Sequence, residues 1–313
     1  MIYENIRKAV FLSRPNRFIA HVKLDGKDTV CHVKNTGRCR ELLIPGAAVY
    51  IQQAQNPERK TRWDLIAVEK GERLINMDAA APNAVFGEWL SAGGAGFVPD
   101  LIRPEYVHGD SRFDFYLEQG GRRIFAEVKG VTLEEAGVVR FPDAPTERGV
   151  KHLRGLASCV AEGFEAWAVF VIQMQNVEHF EPNRATHPAF ADALRDAEAS
   201  GVRLLALDCE VTPQSVRIHR EVPIKLVRVF PFLLYSFIPL PFHFSFFTFH
   251  FSLPYPPGGL AKCADCVYSL VEIQRKREAY ARARARTRYG TGLLSRSRRR
   301  PCAQPSGGAR TGP

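Results

Sequence analysis

The sequence predicts a two-domain α/β (α+β) fold in which a small β-barrel precedes a domain of helices and strands. Short alternating apolar runs crowd residues 1–80, almost without helical periodicity. Helical and strand-like segments then follow one another through residues 81–225. From residue 226 to residue 313 a Phe-rich and then Arg-rich extension replaces both patterns.

Five strands are predicted in the first region. They cover residues 18–24, 29–33, 48–52, 63–68 and 73–76. Asp25-Gly26 separates the first two and favours a hairpin turn. Short strands packed this closely are typical of a small barrel. The domain boundary is predicted near residues 78–82, because Pro82 disfavours a continuing helix.

The second region should contain three helices among its strands. Helices are predicted at 84–91, 147–162 and 189–200, and strands at 111–119, 122–133, 166–173 and 204–208, with a last hairpin through Val222. Gly120-Gly121 lies between the first two of these strands and permits a hairpin. This order is typical of a mixed α/β core.

Two carboxylates and a lysine lie on the strands that flank this turn. Phe113, Phe115 and Leu117 alternate with polar residues and are predicted to share one face of the first strand. The period of two also predicts that Glu127 and Lys129 share one face of the second strand. Strand pairing across the turn would bring Asp114 opposite the region of Glu127.

Paired carboxylates with a lysine suit a magnesium-dependent phosphodiester site. Mg²⁺ takes few protein oxygens and keeps waters that can serve hydrolysis. A Glu-x-Lys triplet is common by chance, so the alternative is a pair of charged strands on a domain surface.

Five ordered blocks place this motif in a wider pattern. The blocks are RPNRFIAHV at 14–22, HVKNTGRCRELLIPGA at 32–47, SRFDF at 111–115, EVKGVTL at 127–133 and FPDAPTERGVKHL at 141–153. Together they resemble the sugar fermentation stimulation protein family, SfsA, over about residues 1–225. The resemblance implies an N-terminal OB-type barrel and a C-terminal domain of the PD-(D/E)xK restriction-endonuclease type.

The resemblance also implies a function and a location. It indicates a prokaryotic cytoplasmic protein that binds DNA and has a regulatory role in sugar metabolism of the maltose type. Asp114, Glu127 and Lys129 match the nuclease-like signature of the family. Its second block is matched by Asp143, Arg148, Lys151 and His152.

The predicted site uses these residues as metal ligands and catalytic groups. Asp114 and Glu127 would bind Mg²⁺ or Mn²⁺, with the Val128 carbonyl as a further oxygen ligand, and Lys129 would orient the attacking water. Glu105 is the candidate third carboxylate, with Glu88 behind it. The alternative for both is an ordinary surface position.

Two basic groups are predicted to bind nucleic acid. One is the helical turn of Arg148, Lys151 and His152, for which a solvated helix start capped by Thr146 is the alternative. The other lies around turns of the barrel and comprises Arg14, Arg17, Lys34, Arg38 and Arg40. Phe11, Phe18 and Trp63 are nearby rings, although Phe18 at a strand start is predicted to be core.

The net charge of +10 belongs to the extension. Residues 226–313 hold 14 Lys and Arg against 3 acidic residues, which leaves 29 against 30 in residues 1–225. Nucleic-acid binding by the first 225 residues must therefore depend on local patches. No membrane contact is expected of them.

The extension itself has two interpretations. Residues 229–253 contain no charged side chain and are long enough to span a bilayer as a helix. Pro231, Pro239 and Pro241 disfavour that helix, so the favoured interpretation is a disordered segment foreign to the fold. Cys263 and Cys266 form the one C-x-x-C pair of the chain, too few cysteines for a zinc site.

Three functions remain open at this level. The first is a DNA-binding regulator that keeps a nuclease-like metal site, and the second is an active Mg²⁺-dependent nuclease. The third is a membrane-tethered form, which depends on residues 229–253 alone. Nucleases of this type often pair to cut two strands, so a homodimer is compatible with either of the first two.

Overall fold

The structure is a computed structural model that describes residues 1–35, 37–56 and 58–226. Nearly all of the extension predicted at 226–313 therefore lies outside the described residues, as does the cysteine pair. The described strands and helices are β1 (Ile6–Ser13), β2 (Ile19–Leu24), β3 (Lys27–Val33), β4 (Ala48–Gln53), β5 (Trp63–Lys70), β6 (Arg73–Asn76), α1 (Ala81–Ser91), β7 (Leu101–His108), β8 (Ser111–Gln119), β9 (Arg122–Val131), β10 (Leu133–Glu135), β11 (Val138–Phe141), α2 (Glu147–Ala161), β12 (Glu165–Ile172), β13 (His179–Pro182), α3 (Pro188–Ala199), β14 (Arg203–Thr212) and β15 (Ser215–Glu221).

The first five strands form a closed barrel. Their order is β3-β2-β1-β4-β5, and a parallel pairing of β3 with β5 closes the ring. The five predicted strands are present, but β1 was not predicted, because the adjacent charged residues Arg7 and Lys8 interrupt the apolar alternation of this strand. The predicted fifth strand, β6, instead extends β5 outside the ring.

The second domain is built on a six-stranded mixed sheet. Its order is β15-β14-β12-β9-β8-β7, with α1 packed on one face and α2 on the other. The sequence missed β7, because Pro104 disfavours a strand interior. In the sheet β7 is an edge strand, where a residue without an N–H is tolerated.

The predicted strand at 122–133 is split between two sheets. β9 ends at Val131 in the large sheet, whereas β10 begins at Leu133 and pairs with β11. A third strand, β13, completes this small sheet. The sequence does not reveal the split, since each half has a strand-like pattern of its own.

The side chains of β8 change faces at Asp114. Phe115 packs edge-on against Phe86 of α1, with ring centroids 5.4 Å apart. Phe113 instead contacts Phe125, at 5.3 Å, on the face covered by α2. The prediction that Phe113, Phe115 and Leu117 share a face is therefore wrong, and the pleat is interrupted where the acidic residue lies.

A buried hydrogen-bonded network joins the barrel to the large sheet. Gln173, at the end of β12, donates to Asn76 Oδ1 at 2.9 Å and to the Asp78 carbonyl at 3.0 Å. Asp78 accepts from Lys34 Nζ at 2.5 Å and from Tyr3 at 3.4 Å. Burial, and then the charge of Asp78, raise the pKa of Tyr3. These polar groups fix the junction between the two domains, because each would be costly to bury alone.

The described helices are close to their predicted limits. Pro82 lies in the first turn of α1, which begins at Ala81 instead of the predicted 84. Thr146 caps α2 by accepting from the Gly149 N–H at 3.0 Å, as the capped-helix interpretation required. Within the described residues no helix is both long enough and apolar enough to cross a bilayer.

Candidate metal centre and nucleic-acid surface

Glu127 is the buried centre of the candidate site. It lies on β9 facing α2, and its side chain is 4% exposed. Its Oε1 accepts hydrogen bonds from Lys129 Nζ and from His152 Nδ1. Burial alone would raise the pKa of Glu127, but the contacts with His152 and Lys129 outweigh it and lower the pKa below its usual value.

The other oxygen of Glu127 has no partner among the described residues. Oε2 is buried and accepts no hydrogen bond from them. A buried ionised oxygen is costly unless a donor or a cation compensates it. We call Glu127 Oε2 the open oxygen.

His152 belongs to this centre. It is 6% exposed, and its Nε2 accepts from Arg148 Nε at 3.4 Å. A neutral ring that accepts at Nε2 carries its proton on Nδ1, which faces Glu127. The solvated helix start is therefore wrong for His152, because α2 packs this side of the helix against β9, whereas its contact with phosphate stays a prediction.

Asp114 lies beside Glu127 with both of its oxygens hydrogen-bonded. Oδ1 accepts from Asn83 Nδ2 at 3.0 Å, and Oδ2 accepts from the Val128 N–H at 2.7 Å. Burial, and next the negative charge of Glu127, raise the pKa of Asp114. A carboxylate whose ionisation is opposed by a neighbouring carboxylate is an arrangement that a divalent cation would stabilise.

The donor set of this pair fits a hard cation. Asp114 and Glu127 offer carboxylate oxygens, which Mg²⁺ and Ca²⁺ prefer, and the open oxygen is available for one. Among the described residues, however, no three His, Cys, Asp or Glu side chains converge as a ready-made metal cage. Two protein ligands suit a cation that retains waters or contacts a substrate phosphate.

The structure does not bring Glu105 or Glu88 to this pair. Glu105 on β7 is 61% exposed and pairs with Arg112 at 3.1 Å. Glu88 on α1 contacts the amino terminus at 2.5 Å. Both therefore match the surface alternative, and the proposed third ligand lacks geometric support.

Two of the five barrel cations have structural roles. Arg14 donates to the carbonyls of Asn35, Gly37, Arg38 and Arg17 at 2.7–2.9 Å, so its guanidinium organises the loop. Lys34 neutralises the fully buried Asp78. The cations that remain exposed are Arg17, Arg38 and Arg40, and none of them forms a salt bridge within the described part of the chain.

The rings near this patch are arranged differently from the prediction. Phe18 is 54% exposed, so its assignment to the core is wrong. Its backbone N–H is held by Asn16 Oδ1 at 2.9 Å, and its carbonyl accepts from the Val33 N–H at 2.8 Å. Phe11 is 1% exposed and belongs to the barrel core. The loop geometry thus turns one aromatic ring outward beside Arg17.

A cleft of about 670 Å³ lies between the barrel and the loop that precedes α2. Arg17, Arg38 and Arg40 line it together with Leu43, and Pro145 contributes from the second domain. Lys151, from the second predicted basic group, instead donates to the Asp110 carbonyl at 3.1 Å. Of that group, Arg148 is engaged with His152, so the barrel cleft is the better candidate for phosphate contacts.

Two residues that support the candidate site and the domain junction are not predicted by the sequence. Asn83 orients Asp114 from the first turn of α1, and Gln173 locks the domain junction. An Asn in a helix and a Gln after a strand are common and have no pattern that marks them. Their partners are 31 and 97 residues away in sequence, so only the folded chain reveals these contacts.

Comparison with known proteins gives two adjacent family matches. A model described as the SfsA N-terminal OB domain matches residues 12–77, and one described as the sugar fermentation stimulation protein RE domain matches residues 80–215. They agree with the predicted fold class of an OB-type barrel followed by an α/β domain of the restriction-endonuclease type.

Individual relatives give the same result. A sugar fermentation stimulation protein homolog from Desulfitobacterium hafniense is 60% identical over 229 residues, which are 72% of this chain and 99% of that protein. The homolog from Clostridium beijerinckii is 55% identical over 226 residues and is matched over its whole length. The solved structure of Pyrococcus furiosus SfsA in complex with Ca²⁺ is similar with a TM-score of 0.66 and 27% identity, over 72% of this chain and 98% of that one.

Proposed function

Because the chain belongs to the sugar fermentation stimulation protein family, we propose that it is a cytoplasmic DNA-binding protein with a divalent-cation site at Asp114 and Glu127. The observation that supports the cation site best is the open oxygen of Glu127, buried beside a second carboxylate. The similar SfsA structure that contains Ca²⁺ supports the same choice of ligand class.

In this proposal each residue of the centre has a separate task. Asp114 and Glu127 hold the cation, and Asn83 and the Val128 N–H orient Asp114. His152 supports Glu127 from the opposite side through Oε1, which leaves the open oxygen free for coordination. A bound Mg²⁺ or Mn²⁺ would neutralise phosphate charge and act as a Lewis acid.

Lys129 favours a second candidate function, the hydrolysis of phosphodiester bonds. Its ammonium contacts Glu127 and remains partly exposed at 23%. A cation bound by Glu127 would weaken the contact between Glu127 and Lys129. The ammonium of Lys129 could then reach a phosphate or the attacking water. The contact of Lys129 with Glu127, together with the effect of the Glu127 charge on the pKa of Asp114, supports this second candidate.

The family name suggests the biological setting. We propose that DNA binding serves the regulation of sugar metabolism, of the maltose type; the family name supports the link to sugar fermentation. A homodimer remains compatible with this role.

One experiment tests the cation site and DNA binding together. The full-length protein is mixed with labelled DNA in Mg²⁺, Mn²⁺, Ca²⁺ or EDTA, and binding and cleavage are measured in the same samples. Cation affinity is measured by calorimetry for the wild type, Asp114→Asn and the exposed control Glu105→Gln. We expect Asp114→Asn to lose cation binding, whereas Glu105→Gln retains it.

The outcomes separate the two candidate functions. DNA affinity that falls with salt supports DNA binding, and salt-insensitive or absent binding contradicts it. Unchanged cation affinity in Asp114→Asn contradicts the site. Cleavage in Mg²⁺ that disappears in EDTA and in Lys129→Met makes the protein a nuclease, whereas binding without cleavage leaves the DNA-binding function alone.

A further inference from the structure

We infer that the DNA bound at the barrel is single-stranded, with unpaired bases held in the cleft between the barrel and the loop before α2. This inference rests on the proposed DNA binding and names the substrate class. Duplex DNA presents mainly phosphates and sugars to a surface, and the faces of its bases are hidden in the stack. A site for unpaired nucleotides must therefore offer apolar contacts next to its cations.

The cleft has this mixed chemistry. Arg17, Arg38 and Arg40 supply three guanidinium groups, while apolar lining comes from Leu12, Leu43 and Pro45. The cleft has a volume of about 670 Å³, which is large enough to enclose parts of a ligand. Cations beside an apolar wall fit a phosphate and a base of the same unpaired strand.

Arg14 makes the cleft a preformed feature of the fold. Its four hydrogen bonds to backbone carbonyls tie the turn after β1 to the loop that contains Arg38. The neighbouring arginines thus sit on an ordered frame, and their guanidinium groups form no salt bridge within the described residues. Ordered cations without an acidic partner are suited to phosphate contacts.

Phe18 adds an exposed aromatic ring on the loop that carries Arg17, outside the lining of the cleft itself. An exposed phenyl ring at 54% accessibility follows Arg17 directly, on a backbone held by Asn16 and Val33. Each base has a flat face, so stacking on such a ring is independent of sequence. A duplex keeps those faces within its own stack, and the platform therefore discriminates in favour of single strands.

A second cleft extends from this surface to the strand that carries Glu127. It has a volume of about 320 Å³ and shares Gly37, Ala144 and Pro145 with the first cleft. At its other side it is lined by Gly130, which follows Lys129 in β9. A strand held at the barrel could thus continue across the domain junction toward Glu127.

The test compares one labelled oligonucleotide as a single strand and annealed to its complement, with the full-length protein and anisotropy as the readout. We expect tighter binding of the single strand. Phe18→Ala should weaken single-strand binding by about 5- to 150-fold, the loss of one stacked base, and change duplex binding much less. Phe18→Trp should retain the preference, because it keeps a platform.

Charge variants test the contribution of the cleft. Replacing Arg38 and Arg40 together by Ala should reduce the slope of log affinity against log salt by about 1.4, since each phosphate contact on a single strand contributes about 0.7. The matched control replaces Lys23 and Lys27, two exposed lysines at the other end of the β2–β3 hairpin. This control should leave the slope unchanged, and the Arg-rich extension is identical in all variants.

The results separate this inference from the proposed function. Duplex binding equal to or tighter than single-strand binding overturns the inference and leaves DNA binding intact. An equal loss of affinity for the single strand and the duplex in Phe18→Ala also overturns it. So does an unchanged slope of log affinity against log salt in the double arginine variant. Absence of binding to either substrate contradicts DNA binding itself and the inference with it.

Discussion

Two buried glutamates, seven positions apart, differ in one respect that separates a structural from a candidate functional role. Glu127 and Glu134 are each 4% exposed, and basic neighbours lower the pKa of both carboxyls against the effect of burial. Glu134 has both oxygens satisfied, with Arg73 at 2.6 Å and the Gly137 N–H at 2.7 Å on Oε1 and Lys70 at 2.7 Å on Oε2. Glu127 receives two donors on one oxygen, and within the described residues none on the other.

Burial and a shifted pKa therefore do not by themselves identify a metal ligand. Glu134 links β5 and β6 of the barrel domain to the small sheet. Both of its oxygens accept hydrogen bonds from protein groups. Glu127 lies in the same kind of environment, but within the described residues only one of its two oxygens accepts hydrogen bonds. Buried polar groups in folded proteins are usually hydrogen-bonded, so the open oxygen is where we propose that a cation binds.

The largest effect is expected for cation affinity. Glu127→Gln should weaken binding of Ca²⁺ at least about 100-fold, beyond the 10- to 100-fold typical of residues that only support ligands. The matched variant Glu134→Gln should leave affinity unchanged, because its oxygens are already used. Calorimetric titration measures both, and an equal loss in the two variants would show that the comparison has no functional meaning.

For the free energy of unfolding we expect the reverse order, with a larger loss from a change at Glu134 than from one at Glu127. Glu134→Ala should lower the free energy of unfolding by about 3 kcal/mol, because it leaves Lys70 and Arg73 without their buried partner. The value is at the lower end of the usual range, since both cations are about one-third exposed and can regain water. Urea unfolding should give less than half this loss for Glu127→Gln, and a larger loss there than in Glu134→Ala would reverse our assignment.

A smaller effect on cation affinity is expected at Asn83, which contacts the second carboxylate, Asp114. Asn83→Ala removes one hydrogen bond to Asp114 and should weaken cation affinity by roughly tenfold, as expected of a residue that orients a ligand. The exposed loop residue Asn56 supplies the control substitution Asn56→Ala. Titration of both variants checks this, and identical affinities would remove Asn83 from the site.

The smallest effect concerns the acid side of the stability profile. The pKa of Glu134 is lowered in the folded chain, so its contribution is complete above the unfolded pKa of about 4.3 and is lost as pH falls through the folded value. Glu134→Gln should therefore be less stable than the wild type at neutral pH, with a gap that narrows in acid. Urea midpoints across this range measure the gap, and one that widens in acid would contradict the sign.

Much of the fold was accessible from the sequence, because local patterns set strand and helix positions. β2 to β6 and the three helices were predicted within a few residues, since alternation and helical periodicity are properties of neighbouring residues. β1 and β7 were missed where charged residues or Pro104 obscured the alternation. The place of β1 in the barrel wall and of β7 at the sheet edge depends on pairing with other strands, which local alternation does not show.

The candidate site was predicted in part for the same reason. The shared face of Glu127 and Lys129 followed from the strand period and is confirmed by their contact. The period failed at Asp114, where the side chains of β8 change faces. The solvent exposure of Phe18 and the burial of His152 were likewise decided by loops and helices that pack from elsewhere in the chain.

The order of the two domains, the family and the triad of Asp114, Glu127 and Lys129 can be read from residue identity and local spacing. Which charged groups remain without a partner depends on how the chain packs. Arg14 and Lys34 were drawn into backbone and Asp78 contacts, His152 was placed against Glu127, and one carboxylate oxygen was left open. These outcomes could not be read from the sequence, because the hydrogen-bond partners of a buried polar group come from distant parts of the chain and meet only after packing.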